Sequence, residues 1–330
     1  MIATAILATA ALGSCGSGSN GASTTASTAS MVAPARRPPA GPFAVGTLVR
    51  TLVDTTRPTN AQGGAPAKPS RTLVTTILYP ALGPAGPVAR PNAPPDTAAG
   101  PFPLVVFAHG SSAAPTDFTA LLGSWAAAGY VVVAPEFPLT GSHAPANSQI
   151  SDYVNQPTDV SFVIDQMLRF PPPSLVGSVD AGRIGVAGHS LGGATALAVA
   201  FNSCCLDPRV KAAVVMEGVP LPFSGGTYFG RAASPPVLFL QGSADQTVVP
   251  ATSVSLFNMA RPPKALATIV GGTHSGPYQG DQLTPQVDLV ARVSVAFLDR
   301  YLEGRPAGAT QLRQAVASSA GLATLRESGL

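Results

Sequence analysis

The fold is decided by the stretch Arg183-Ile184-Gly185-Val186-Ala187-Gly188-His189-Ser190-Leu191-Gly192-Gly193-Ala194-Thr195. Ile184 to Ala187 reads as a buried strand and Leu191 to Phe201, rich in Ala and Leu, as a helix. Ser190 therefore falls on the turn between them. So sharp a turn holds its central residue in a strained conformation, and the backbones crowding it leave no room for side chains at Gly188 and Gly192. The hydroxyl is left exposed at the tip of a sheet. The first helical amides point at it, so the N–H of Leu191 is placed to stabilise an oxyanion in a field that already favours negative charge.

Outward from this turn, the chain from Pro103 onward alternates apolar runs with helical stretches. The runs are Leu104 to Phe107, Val131 to Val133, Ile184 to Ala187, Val210 to Met216, Val237 to Leu240 and Ala265 to Val270. The helices are expected near 117–128, 158–168, 191–201, 251–259 and 285–302, the last punctuated by Thr284 as N-cap, Pro285 in the first turn, and Gly304 with Pro306 as the stop. Continuous rather than alternating apolar strands indicate an α/β fold, a mostly parallel central sheet flanked by helices on both faces. Ahead of it, Phe43 to Val53 and Arg71 to Tyr79 read as a hairpin, and 80–101 as an irregular proline-rich connection. The segment between Gly218 and Ser234 is too short for a large helical lid, whereas Leu139 to Gln156 is polar and suited to a site wall.

With 45% hydrophobic and 11% charged residues, the chain can bury a large core and is not of a disordered type. Its net charge of +3 is scattered along the sequence, which argues against a nucleic-acid partner. Ile2 to Leu12 has the length of a signal-peptide apolar region and is too short to cross a bilayer. It ends in Leu12-Gly13-Ser14-Cys15, which resembles the lipobox of bacterial lipoproteins and implies lipidation at Cys15, hence an extracytoplasmic protein, secreted or tethered to the membrane. The expected organisation is a signal segment over 1–15, a Ser/Thr/Ala/Gly- and Pro-rich tether over 16–42, a catalytic domain over 43–305 and a C-terminal extension over 306–330. Cys204 and Cys205 read as two thiols in preference to a vicinal bridge, because adjacent Cα atoms lie about 3.8 Å apart and the usual disulfide range starts near 4.4 Å; an oxidising location outside the membrane keeps the bridge as the alternative. Neither CxxC nor HExxH occurs, so no metal and no cofactor is expected.

A nucleophilic serine needs a histidine base, and the base needs an acid to fix its tautomer. Four histidines are available. His189 adjoins Ser190 and its side chain is expected to diverge from the nucleophile's; His109 sits at a strand end, and His143 in the polar loop. His274, in Gly271-Gly272-Thr273-His274-Ser275-Gly276 directly after the last apolar strand, fits best. Its acid is Asp245, just beyond the strand Val237 to Leu240, in preference to Asp117, Glu136, Asp152 and Asp281. His143 and His189 are expected to contribute little.

The motifs VVFAHG, GYVVVAPEF, GVAGHSLGG, LQGSADQTVVP and GGTHSG occur in the order found in serine α/β-hydrolases, which the chain resembles from about Phe43 to Leu302. Within that superfamily it is similar to the dienelactone hydrolase-like group, which includes platelet-activating-factor acetylhydrolases, chlorophyllases and cutinase-type polyester hydrolases. The resemblance implies a carboxylic ester hydrolase acting through Ser190, His274 and Asp245, with the amides of Ser111 and Leu191 as the oxyanion hole. It further implies small or polymeric esters as substrates and a monomer. Acyl transfer with the same residues, and a non-catalytic envelope lipoprotein, are the alternatives.

Overall fold

The computed structural model describes residues 41–145, 147–231 and 233–330. Cys15, the signal segment and the tether as far as residue 40 lie outside the described residues. Ten strands form one sheet in the order β10-β9-β8-β7-β6-β4-β5-β2-β1-β3. The expected hairpin is β1 (Ala44–Asp54) with β2 (Arg71–Ala81), antiparallel from Ala44↔Ala81 to Asp54↔Arg71. A three-residue β3 (Ala89–Pro91) adds to it from the proline-rich connection.

The parallel part comprises β4 (Phe102–Ala108), β5 (Val131–Glu136), β6 (Val179–His189), β7 (Val210–Met216), β8 (Val237–Gly242) and β9 (Lys264–Ile269). Helices α1 (Thr119–Ala127), α2 (Gln156–Arg169), α3 (Leu191–Phe201), α4 (Pro250–Met259), α5 (Pro285–Tyr301) and α6 (Ala307–Ala317) cover it. The sheet carries two cores. One face packs Leu121, Trp125, Val290, Phe297 and Leu312 of α1, α5 and α6; the other packs Val163, Ile164, Leu197, Val199 and Leu256 of α2, α3 and α4. Both faces being covered is why β4, β5, β7, β8 and the 184–187 stretch of β6 are mostly apolar. Trp125 is core, as its helical spacing implies, and its indole N–H donates to Ser294 Oγ at 2.8 Å, tying α1 to α5. Thr284 caps α5 by accepting the Val287 N–H.

Two expectations are corrected. Residues 306–330 are no extension beyond the fold: α6 packs on α5, and β10 (Ala323–Ser328) pairs antiparallel with β9 from Ala323↔Ile269 to Ser328↔Lys264. The short polar-looking run ATLRES hides this, because an edge strand has one exposed side. Cys204 and Cys205 form a vicinal disulfide rather than two thiols. They follow α3 in a tight turn, where the N–H groups of Cys205 and Leu206 both bond the Asn202 carbonyl and Asn202 Oδ1 accepts the Cys204 N–H.

Strand order reverses between β4 and β6, since β5 lies on one side of this pair and β7 to β9 on the other. In open α/β sheets the crevice for a ligand opens at such a switch point, beyond the carboxyl ends of the strands. Ser111 follows β4 and Ser190 follows β6. The topology alone therefore brings the two together.

Candidate active site

Ser190 occupies the single-residue junction of β6 and α3 with φ 55° and ψ −117°, a left-handed backbone that L-residues adopt only under constraint. The constraint is close backbone approach. A Cβ at Gly192 would lie 2.0 Å from the Ala108 carbonyl oxygen, and one at Gly188 2.1 Å from that of Gly192, so neither position tolerates a side chain. The Ser190 N–H is anchored on the Met216 carbonyl at 2.9 Å.

His274 comes from the loop between β9 and α5, and its Nε2 lies 2.9 Å from Ser190 Oγ. Its Nδ1 lies 2.8 Å from Asp245 Oδ2. Asp245, in the loop after β8, uses its other oxygen to accept the amides of Thr247 and Val248 at 2.7 and 3.0 Å. Burial raises its pKa, but the hydrogen bonds from His274 and from the Val248 and Thr247 amides outweigh this and hold it below the ordinary value. The three residues expected from sequence are thus in one contact series.

A fourth residue, which sequence reasoning missed, joins them. Glu217, directly after β7, is fully buried and places Oε2 2.9 Å from His274 Nδ1. Burial pulls the His274 pKa down, but Glu217 and Asp245 together outweigh it and raise it above the ordinary histidine value. The signal was present in the sequence: one acidic residue ending the apolar run Val210 to Met216.

The other histidines have separate roles. His109 is fully buried and held neutral, burial lowering its pKa more than its hydrogen bond and neighbouring acids raise it. Its Nε2 accepts the Phe137 N–H at 2.9 Å, so Nδ1 carries the proton and donates to the Gly110 carbonyl at 2.7 Å. That carbonyl belongs to the peptide whose N–H is that of Ser111. His109 therefore fixes the direction of the amide expected to meet an oxyanion. A Cβ on Gly110 would lie 3.3 Å from Ser190 Cβ, which puts this loop against the serine. Leu191 opens α3 on the serine's other side.

His143 is exposed and pairs with Glu136 at 2.8 Å, away from the serine's contacts. His189 departs from expectation. Its ring does not diverge but stacks among His274, Tyr278 and Phe118, and its Nε2–H donates to the His274 carbonyl at 2.6 Å. His189, Glu217 and His274 have ligand-type atoms within 4.8 Å of one another. Yet Nε2 of each histidine is already committed, to the His274 carbonyl and to Ser190.

The segment expected to form a wall does so. Ser148 Oγ lies 2.6 Å from Ser111 Oγ, the Ser112 N–H donates to the Thr140 carbonyl, and Gln156 bridges Thr140 to Thr195 of α3.

A doubly covered sheet with a serine on the turn after β6 and a histidine after the last parallel strand defines an α/β-hydrolase. No curated protein sequence matches the chain, whereas 1137 chains of solved structures do. The model of the chlorophyllase family matches residues 88–255, just over half of the chain, so the chain belongs to that family and is a carboxylic ester hydrolase. Among solved structures it is similar to a ferulic acid esterase from Streptomyces cinnamoneus, with 24% identity and a TM-score of 0.62 over 90% of this chain and 98% of the other. At that identity the likeness is one of fold.

His189→Ala removes a buried donor and leaves the His274 carbonyl unsatisfied, so unfolding stability should fall by about 1–3 kcal/mol. The exposed His143→Ala should change it by less than about 0.5 kcal/mol. Urea midpoints for the two variants check this, and equal midpoints would show that His189 does not buttress the His274 loop.

Proposed function

We propose that the enzyme cleaves esters through an acyl-enzyme on Ser190, with His274 as base and then acid, Asp245 as its orienting carboxylate, and the amides of Ser111 and Leu191 as the oxyanion hole. The observation that carries this reading is the unbroken contact series from Ser190 Oγ to His274 Nε2 and from His274 Nδ1 to Asp245 Oδ2. His274 takes the hydroxyl proton as the oxygen attacks the ester carbonyl, and returns it to the departing alcohol. Water, activated by the same ring, then releases the acid. The strained turn supports the assignment, because such backbone conformations persist where the surroundings over-determine them and cluster at active sites.

A fluorophosphonate should label the enzyme at Ser190, and Ser190→Ala should abolish both labelling and hydrolysis with the fold intact; a labelled alanine variant overturns the assignment. The pH profile has a definite sign. His274 works as a base only when neutral, and its pKa is raised above 6.5, so kcat/KM should fall as pH drops through a limb lying above 6.5.

For substrate, the reading is short-chain or otherwise accessible esters, including esters within a polymer. Its support is the connection between Gly218 and Ser234, whose described residues contain no helix that could close over the serine. Turnover of acetate and butyrate esters should rise smoothly through the substrate's solubility limit, since the described residues of this connection form no helical lid that would have to open. A sharp jump at that limit counts against an open site.

For location, the reading is extracytoplasmic attachment through a lipid on Cys15, supported by the Leu12-Gly13-Ser14-Cys15 sequence. Among the described residues no helix is long and apolar enough to cross a membrane. Cys15→Ser should move the protein from the membrane to the soluble fraction, and unchanged fractionation rules the anchor out.

A further inference from the structure

We infer that Glu217 is a positioning residue that shares His274 with Asp245, so that the base is held by two carboxylates from two different strand ends. This rests on the reading of His274 as the base of Ser190. The geometry is specific. The His274 Nδ1–H points at Asp245 Oδ2, 2.8 Å away, and Glu217 Oε2 stands 2.9 Å from the same nitrogen, off that axis. Glu217 Oε2 is fully buried and has no hydrogen-bond donor of its own. Its sister oxygen is fully engaged, accepting the Gly242 N–H at 2.8 Å and the Tyr278 hydroxyl at 3.1 Å. The side chain is thus pinned by one oxygen while the other faces the histidine.

A buried carboxyl oxygen without a donor is costly unless charge of the opposite sign develops beside it. In the proposed reaction that charge arises when the Ser190 proton moves to Nε2 and the ring becomes an imidazolium. Glu217 is therefore placed to stabilise the state that leads to the transition state, and a small rotation of the ring would hand it the Nδ1–H if Asp245 were lost. Its backbone is held for the purpose: Glu217 is a non-glycine residue at φ 51°, with its N–H fixed on the Leu240 carbonyl. The groups facing His274 are Ser190, Asp245, Glu217 and His189, and Tyr278 stands behind them, against the His189 ring and Glu217 Oε1. His189 Nε2 is 3.6 Å from Glu217 Oε2 and donates instead to the His274 carbonyl. None of these neighbours is a lysine or an arginine. Burial lowers the His274 pKa, and Glu217 ahead of Asp245 reverses the shift.

The test is a pH series of kcat and KM on a soluble acetate ester for the parent enzyme, Asp245→Asn, Glu217→Gln and the double variant. Glutamine keeps an oxygen for Gly242 and Tyr278, so Glu217→Gln should fold; it should lower kcat by about tenfold at unchanged KM and move the acidic limb to lower pH. With Glu217 in place, Asp245→Asn should lose less than about 100-fold, against the roughly 10⁴-fold known where a single acid orients the base. The double variant should fall at least about a further 100-fold, to the level of His274→Ala. Three results overturn the inference: an acidic limb unmoved by Glu217→Gln, a double variant no worse than Asp245→Asn, or Asp245→Asn alone as inactive as His274→Ala. The middle criterion needs both folded variants, whereas the last uses a variant that leaves Glu217 untouched. Ser190→Ala and His274→Ala serve as controls. If either stays active the base assignment itself fails, whereas if both are inactive and Glu217→Gln behaves as the parent, only the second acid is lost.

Discussion

The molecule depends on one backbone contact, the packing of the first turn of α3 against the carboxyl end of β4. At Gly192 the two chains come so close that a methyl group would overlap the Ala108 carbonyl oxygen. That contact forces the chain to reverse within a single residue, and Ser190 takes up a conformation costing on the order of 1–3 kcal/mol. The surroundings supply it. Every residue of α3 is buried, and the Ser190 amide and carbonyl are both bonded, to Met216 and Ala194. A looser helix would let the turn relax and carry the hydroxyl away from His274. Precision at the serine is thus a property of the sheet-helix packing, not of the serine.

The side chains of Glu217 and Asp245 are buried, so charge placement weighs heavily. Two unit charges 4 Å apart interact by about 4 kcal/mol at an effective dielectric of 20, against about 1 kcal/mol in bulk water. The carboxylates beside His274 act in the former setting. The polar wall depends on another buried charge cluster. Arg71, at the start of β2, is fully buried and bonds Asp152 of the wall and Asp159 of α2 through charge-assisted hydrogen bonds of 2.6 to 3.1 Å. Removing one member of such a cluster leaves the others uncompensated and typically costs about 3–5 kcal/mol. Arg57 bonds Asp159 as well, from the loop after β1. The hairpin outside the parallel sheet therefore clamps the segment that carries Tyr153 and Gln156 beside α3.

How much of this was legible follows from what kind of contact fixes each part. Strands buried on both faces write themselves as continuous apolar runs, and the register-setting turn is written in glycines, so β4 to β9, α3 and Ser190 could be read directly. His274 and Asp245 were legible because loops after strand ends narrow the choice among few histidines and acids. The β10 edge was not, since Thr324, Arg326 and Glu327 are exposed and dilute the apolar pattern. His189 resists reading for a different reason. A neighbour in sequence is expected to point away, yet the left-handed turn at Ser190 changes the direction of the chain so that both side chains meet His274. The Cys204–Cys205 bridge depends on a turn that composition does not encode.

Glu217 was hidden by the same topology that makes it unavoidable. In a parallel sheet the carboxyl ends of adjacent strands lie side by side, and β7 runs between the strand of the nucleophile and the strand of the acid. Met216 pairs with His189 on one side and with Leu240 on the other. The residue after Met216 must then stand between Ser190 and the loop leading to Asp245, where a histidine joining those two has to pass. An apolar side chain there would leave Nδ1 with one partner; a cation would repel the imidazolium. An acid complements it. The acid ending the apolar run places Glu217 at a strand end, but which strand ends flank it is defined by pairing between strands far apart in sequence, so its meeting with His274 requires the register before the residue.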